Sequence, residues 1–154
     1  MCLKRNAFFK ILMLFVVFIV LAACAPKKVR LYSVSDNTRN SIVASALALL
    51  SKPYKNAARG PDAFDCSGFV YYVFKQYVSL PPPAELQRNA GREIDRNSVQ
   101  PGDLVFFKID GDFHIGVVVG GSDFIHASKS RGVAVDNVDA SYWRKRLIGY
   151  RSVL

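Results

Sequence analysis

The feature that most restricts the fold is a change in the spacing of apolar residues from residue 104 onward. Five short apolar runs, separated by turns rich in Gly, Asp and Ser, occupy residues 104–108, 114–119, 123–128, 133–136 and 147–151. Short runs bounded by such turns are typical of β-strands. The sequence therefore predicts an antiparallel meander in the second half of the chain. Gln100, Pro101, Gly102 and Asp103 precede it and predict a type II turn with Gly102 in its third position.

The first half of the chain has the apolar spacing of helices. Residues 37–50 carry apolar side chains at 42, 43, 46, 47, 49 and 50, and a second helix from Cys66 carries them at 69, 70, 73, 74 and 77. The second helix is predicted to end near Ser79, and a short helix over 84–90 is closed by Gly91. Because helices come first and strands follow, residues 37–154 are predicted to form an α+β domain. Its N-terminal helices pack on one face of a five- to six-stranded antiparallel sheet.

The N-terminus has the pattern of an export signal. Lys4, Arg5 and Lys10 are followed by an apolar run over 11–21 that is too short to span a bilayer. Residues 1–23 are therefore predicted to be a signal peptide and are excluded from the fold.

The signal ends in Leu21, Ala22, Ala23 and Cys24, which resembles the lipobox of bacterial lipoproteins. This resemblance implies that Cys24 is acylated and that residues 24–36 form a lipidated tether, holding the domain at a membrane. In a bacterium with two membranes, Ala25 after the cysteine implies anchoring in the cell envelope, at the outer membrane and facing the periplasm. Ordinary secretion with a free Cys24 is the alternative.

The chain is basic, with a formal net charge of +9. A basic exported domain can meet anionic wall polymer or lipid headgroups, but charge alone does not indicate a reaction. The sequence holds no run of five like charges and no nucleic-acid-binding motif. Nucleic acid is therefore not expected as a partner.

Cys66 is the clearest candidate for a reactive side chain. Cys2 leaves with the signal and Cys24 carries lipid, so Cys66 has no partner for an intramolecular disulfide. It lies on the first turn of the predicted helix, where unpaired amides and the helix dipole favour an anion. This position predicts a lowered thiol pKa, which the charge of Asp65, the predicted N-cap, opposes. The alternative is a small buried hydrophobic residue without chemistry.

The chain has two histidines, His114 and His126, on consecutive predicted strands. Both can serve Cys66 only if their side chains share one face of the sheet, which requires paired residue numbers with an even sum. We therefore predict an odd-numbered loop over 120–122 or a compensating bulge. Gly116 would leave a gap beside His114. The alternatives are histidines with structural roles, and a zinc site, which the Cys-to-His spacing disfavours.

Four ordered blocks together resemble the NlpC family of bacterial cell-wall cysteine peptidases. They are Phe64 to Val70, Leu104 to Phe107 behind Pro101, Gly102 and Asp103, then His114 to Gly116, and Phe124 to Ala127. The similarity extends from about residue 42 to 153 and includes the late run Tyr142 to Arg146. It implies a small papain-like fold and hydrolysis of peptide bonds in peptidoglycan stem or cross-link peptides, without a cofactor or metal.

The resemblance also implies roles for individual residues. Cys66 matches the nucleophile, His114 the base and His126 the third, orienting residue. Tyr54 matches a tyrosine near the oxyanion position. Asp65 and Ser67 match positions that line the substrate cleft.

One loop departs from the family pattern. Ala57, Ala58 and Ala63 stand where relatives usually carry glycine, which puts the placement of Tyr54 in question. These alanines favour an alternative function, a non-catalytic lipoprotein that binds peptidoglycan or a partner protein. Acyl transfer from the same thiol is a third hypothesis. The bond that is cut and a regulatory protein partner stay open.

Overall fold

The computed structural model describes residues 34–154, so the predicted signal peptide, Cys24 and most of the tether lie outside the described residues. Four α-helices are described there: α1 Val34–Leu47, α2 Cys66–Phe74, α3 Ala84–Gln87 and α4 Ser141–Arg144. A short 3₁₀ helix covers Arg96–Ser98. Helix α1 begins before the predicted residue 37, and α2 ends before the predicted Ser79. Within this described part, none of the helices combines the length and apolarity needed to cross a bilayer.

Six strands form one antiparallel sheet. They are β1 Arg92–Ile94, β2 Leu104–Ile109, β3 Asp112–Gly120, β4 Asp123–Ser128, β5 Gly132–Asn137 and β6 Leu147–Ser152, in the spatial order β1-β6-β2-β3-β4-β5. The predicted meander is confirmed for β2 to β5. It is wrong for the last strand, because β6 returns to pair with β2 on its other side and β1 pairs with β6. Strand β1 was not predicted.

Each face of the sheet carries its own apolar cluster. The face under α1 and α2 buries side chains from both helices, including Ile42 and Phe69, against Ile115 and Ile125. The opposite face carries a smaller apolar cluster, formed by Ile94, Val105, Phe107, Val118, Phe124, Val138, Trp143 and Tyr150. The two long helices therefore pack on one face, as predicted, while the short α4 adds Trp143 to the other.

A buried ion pair ties α1 to the predicted turn before β2. Gly102 has φ +87°, and the Asp103 amide donates to the carbonyl of Gln100 over 3.0 Å, as a type II turn requires. Asp103 is 1% exposed and accepts a 2.8 Å hydrogen bond from Arg39 Nη1. Arg39 also donates to the carbonyl of Pro101 over 2.9 Å. The turn that starts the meander is therefore held by the first helix.

The β3–β4 hairpin contains the predicted bulge. Val117 pairs with Ile125 and Val118 with Phe124, but Gly120 pairs with Asp123, so Val119 is an extra residue in β3. The connection is the two-residue turn 121–122, not a three-residue loop. Because of the extra residue Val119, the paired residue numbers beyond the bulge sum to an even number, as the prediction requires. Both histidines consequently belong to the same face of the sheet.

Candidate active site

Helix α2 begins at Cys66 because Asp65 caps it. Asp65 Oδ1 accepts a 2.6 Å hydrogen bond from the Gly68 amide and one of 3.2 Å from the Ser67 hydroxyl. Asp65 is thus the N-cap that the sequence predicted. A Cβ at Gly68 would lie 2.1 Å from the carbonyl oxygen of Ala58. Glycine is therefore required there for α2 to approach the preceding loop.

The loop before α2 keeps a backbone shape suited to glycine although it carries alanines. Ala57 has φ +58°, a left-handed conformation that costs a residue with a Cβ about 1–2 kcal/mol. The carbonyl of Ala58 accepts a 2.9 Å hydrogen bond from the Asp65 amide, which fixes the loop against the start of α2. Burial, and then the nearby Cys66 and Asp65, raise the pKa of the Tyr54 hydroxyl, so Tyr54 lies beside both residues. The alanines have not moved Tyr54 away from Cys66.

One cleft of about 800 Å³ brings together every residue predicted for the site in the described part of the chain. Its lining includes Tyr54, Asp65, Cys66, Ser67, His114 and His126. These residues come from the loop before α2, from α2 itself, and from β3 and β4. The helical half and the strand half of the sequence therefore meet at this cleft.

The sulfur of Cys66 lies close to the backbone of β3. The ladder between β3 and β4 runs from Gly120 to Val117 on β3. The thiol forms backbone hydrogen bonds with Ser67 on α2 and with Ile115, two residues beyond the last paired position on β3. Ile115 points towards α2, so its neighbour His114 projects from the other face. Cys66, His114 and His126 nevertheless line the same cleft.

The resting thiol does not have the lowered pKa that the sequence predicted. Burial, and then the charge of Asp65, raise the pKa of Cys66, and together they outweigh the backbone hydrogen bonds that lower it. The helix terminus and Asp65 are local features, whereas the surroundings of the buried thiol include Ile115 on β3, a distant part of the sequence. The raised pKa makes Cys66 a protonated thiol at neutral pH.

The two imidazoles form a direct contact. His114 Nε2 lies 2.8 Å from His126 Nδ1. Burial, followed by the charges of His126 and Lys129, lowers the pKa of His114 from 6.5 to about 3, so the ring is neutral at pH 7. Trp143 stacks on His114 with ring centroids 5.5 Å apart and an interplanar angle of 25°. His114 Nδ1 is therefore the nitrogen left to face a reacting group.

Gly116 provides the space that the histidine pair needs. A Cβ at this position would lie 2.6 Å from a ring carbon of Phe124, 2.9 Å from the carbonyl oxygen of Ile125 and 3.3 Å from His126 Cβ. The predicted gap beside His114 is thus filled by Phe124 and His126, which approach the bare backbone of β3.

Two further residues extend the histidine pair, and sequence reasoning missed both. His126 Nε2 lies 2.9 Å from Asp136 Oδ2 on β5. Arg131 Nη2 donates to the same carboxylate oxygen over 2.5 Å. His126 pairs with Ala134, so Asp136 lies on the same face of the sheet as His126. The parity argument used for the two histidines, applied to the next hairpin, would have found Asp136.

The cleft has no preformed metal site. Among residues 34–154, no group of three or more His, Cys, Asp or Glu side chains is arranged to hold a metal ion. Cys66 is unpaired.

A sequence profile of the NlpC/P60 family matches residues 51–152, which include the whole arrangement of loop, helix and strands around the cleft. The chain belongs to the NlpC/P60 family. The probable endopeptidase p60 of Listeria grayi is 41% identical over 130 residues, covering 79% of this chain and 25% of that protein. The murein DD-endopeptidase MepS/murein LD-carboxypeptidase of Escherichia coli K12 is 34% identical over 104 residues, covering 66% of this chain and 55% of that protein.

Solved structures of NlpC/P60 proteins share the fold. A Staphylococcus aureus protein described as similar to a lipoprotein of the NLP/P60 family matches with a TM-score of 0.71 and 31% identity, over 83% of this chain and 45% of that protein. The papain-like α+β fold implied by the sequence resemblance is thereby confirmed. The chain spans about a quarter of the Listeria relative and about half of the Escherichia coli one.

Proposed function

We propose that this protein is a cysteine endopeptidase that hydrolyses peptide bonds in peptidoglycan stem or cross-link peptides. The observation that carries the proposal is the shared cleft, in which Cys66 at the start of α2 meets His114, whose Nε2 is already engaged by His126. Relatives named as endopeptidases and, in Bacillus subtilis, as a gamma-DL-glutamyl hydrolase support this substrate class. No cofactor is needed for the chemistry described below.

The first half of the proposed reaction forms a thioester. The thiol is protonated and His114 is neutral, so His114 Nδ1 takes the thiol proton as the sulfur attacks the amide carbonyl carbon. The new S–C bond gives a tetrahedral oxyanion. The Cys66 amide at the helix start and the Tyr54 hydroxyl are the proposed donors to this oxyanion, and each well-placed donor is worth about 3–4 kcal/mol. His114 then protonates the leaving nitrogen as the C–N bond breaks.

The second half of the reaction releases the product acid. Water attacks the thioester carbonyl carbon and gives a proton to His114, the C–S bond breaks, and the proton returns to sulfur. His126 holds the His114 ring in one orientation through both halves. Asp65 and Ser67 line the cleft and are proposed to contact the peptide. Asp65 Oδ1 already serves the helix cap, so one of its two carboxylate oxygens is committed to α2.

The test is a digest of purified muropeptides by the full-length protein in detergent, followed by mass analysis. The proposal expects a new carboxylic acid and a new amine, and none from Cys66→Ala with unchanged far-UV circular dichroism. Peptide that is retained but uncut would favour the non-catalytic binder. A transferred acyl group in place of a free acid would favour acyl transfer. The masses of the products identify the bond that is cut.

We also propose that Cys24 carries lipid and anchors the protein in the cell envelope, at the outer membrane and facing the periplasm. The charged n-region, the short apolar run and the small residues before Cys24 support this placement. Growth with an alkyne-tagged fatty acid should label the wild-type protein and leave Cys24→Ala unlabelled. Labelling of both proteins would contradict acylation at Cys24.

A further inference from the structure

We propose that Asp136, held by Arg131, is a positioning residue that selects the tautomers of both histidines and so directs His114 Nδ1 towards the thiol. The inference rests on the proposed function for its catalytic meaning, but the tautomers can be measured without any reaction. Its basis is an unbroken series of contacts from Arg131 through Asp136 and His126 to His114, with distances of 2.5, 2.9 and 2.8 Å.

The tautomers follow from the donors and acceptors along this series. An ionised carboxylate can only accept, so Asp136 Oδ2 requires a proton on His126 Nε2. A neutral His126 then has a lone pair on Nδ1. Because His114 Nε2 lies 2.8 Å from that lone pair, it must carry the proton of the shared hydrogen bond. A neutral His114 with its proton on Nε2 has an unprotonated Nδ1, which is the form needed to accept the proton of Cys66.

Arg131 keeps Asp136 in the accepting form. Partial burial raises the pKa of Asp136, but the hydrogen bonds and charges of His126 and Arg131 together lower it by more, so the carboxylate is ionised at neutral pH. Without Asp136, His126 could carry its proton on either nitrogen. A proton on His126 Nδ1 would face His114 Nε2 and favour the opposite tautomer of His114, in which Nδ1 carries the proton. That nitrogen could not then accept the proton of Cys66.

A different role for Arg131 and Asp136 makes a different prediction. Both residues line the cleft, so they could bind substrate directly. Loss of a substrate contact would raise KM and leave the histidine tautomers unchanged. Loss of a positioning contact would lower kcat, leave KM within about twofold, and change the tautomers.

Nitrogen-15 NMR of the full-length protein in detergent tests the inference directly. The chain contains two histidines, so long-range proton–nitrogen spectra of histidine-labelled protein hold signals from two rings only. At pH 8 the wild type should show both rings protonated on Nε2. Asp136→Ala should shift the His126 nitrogens towards a mixture of tautomers. Asp139→Ala is the matched control, since Asp139 pairs with Arg96 and Ser122 and contacts neither histidine.

Kinetics on muropeptides complete the test. Asp136→Ala should lower kcat by about 10- to 100-fold, by analogy with the range for outer groups that orient metal-bound imidazoles. Asp136→Asn, whose amide can donate to His126 Nε2 as well as accept from it, should leave the tautomers mixed and should not recover most of that loss. The exposed Arg131→Gln should lower kcat less than Asp136→Ala. Wild-type tautomers in Asp136→Ala, or Nδ1-protonated rings in the wild type, would overturn the inference. If the wild type cleaves nothing, the proposed function fails while the NMR result still decides the positioning role.

Discussion

The buried, neutral His114 should make the folded protein lose stability as the pH falls. Its pKa is about 3 in the folded chain and near 6.5 when unperturbed. Between these values the unfolded chain binds a proton that the folded chain does not, so the contribution is fully present above pH 6.5 and decreases as the pH falls towards 3. From pH 8 to pH 5 the loss attributable to His114 is about 2 kcal/mol. Burial also lowers the pKa of His126, which adds a loss of the same sign.

The variant His114→Gln removes this proton-binding site and keeps a polar side chain. Urea unfolding followed by far-UV circular dichroism should be measured at pH 8 and pH 5 for both proteins. The wild type should lose about 2 kcal/mol more than the variant over this interval, since His126 and the other titrating groups contribute to both proteins. An equal loss in the two proteins would refute the assignment of a buried neutral imidazole. The result does not depend on any enzymatic activity.

Three substitutions, two of them with a comparison variant, test contacts that hold the fold together through the free energy of unfolding in urea. Gly116→Ala should cost about 1–3 kcal/mol because its Cβ meets a ring of β4, whereas Gly149→Ala, with nothing within 4 Å, should be close to neutral, and equal costs would contradict the close approach. Asp65→Ala should cost about 0.5–2 kcal/mol because the α2 N-cap is lost, whereas Asp65→Asn, which keeps a capping oxygen, should keep most of the wild-type stability. An unchanged stability in Asp65→Ala would exclude the cap. Arg39→Met should cost about 3–5 kcal/mol because it leaves Asp103 buried and unpaired, and a loss below about 1 kcal/mol would show that the pair contributes little.

Local signals in the sequence predicted the elements that carry the site. The start of α2 at Cys66 follows from Asp65 as N-cap and from the apolar spacing after it. The shared face of His114 and His126 follows from counting register across a short hairpin. Both deductions use residues close in sequence, where turn and cap chemistry determine the geometry.

Long-range contacts determined the features that the sequence did not predict correctly. Strand β6 pairs with β2, which lies far earlier in the sequence, and no local signal after β5 specifies that partner. Strand β1 has three residues, of which only Ile94 is buried, too few to show a period. The pKa of Cys66 rises chiefly because the thiol is buried, and its surroundings include Ile115 on β3, which is distant in the sequence. Asp136 could have been found by register alone, but its pairing with Arg131 depends on side-chain geometry across a turn.

The central claim is that the sulfur of Cys66 becomes covalently bound to the acyl part of a peptidoglycan peptide. The most direct test mixes the full-length protein with purified muropeptide, quenches the reaction in acid within its first turnover, and maps the adduct by mass spectrometry. The account predicts an acyl adduct on the peptide that contains Cys66, sensitive to hydroxylamine as a thioester is, and neither adduct nor cleavage in Cys66→Ala. An adduct on another residue, or undiminished cleavage by Cys66→Ala, would contradict it.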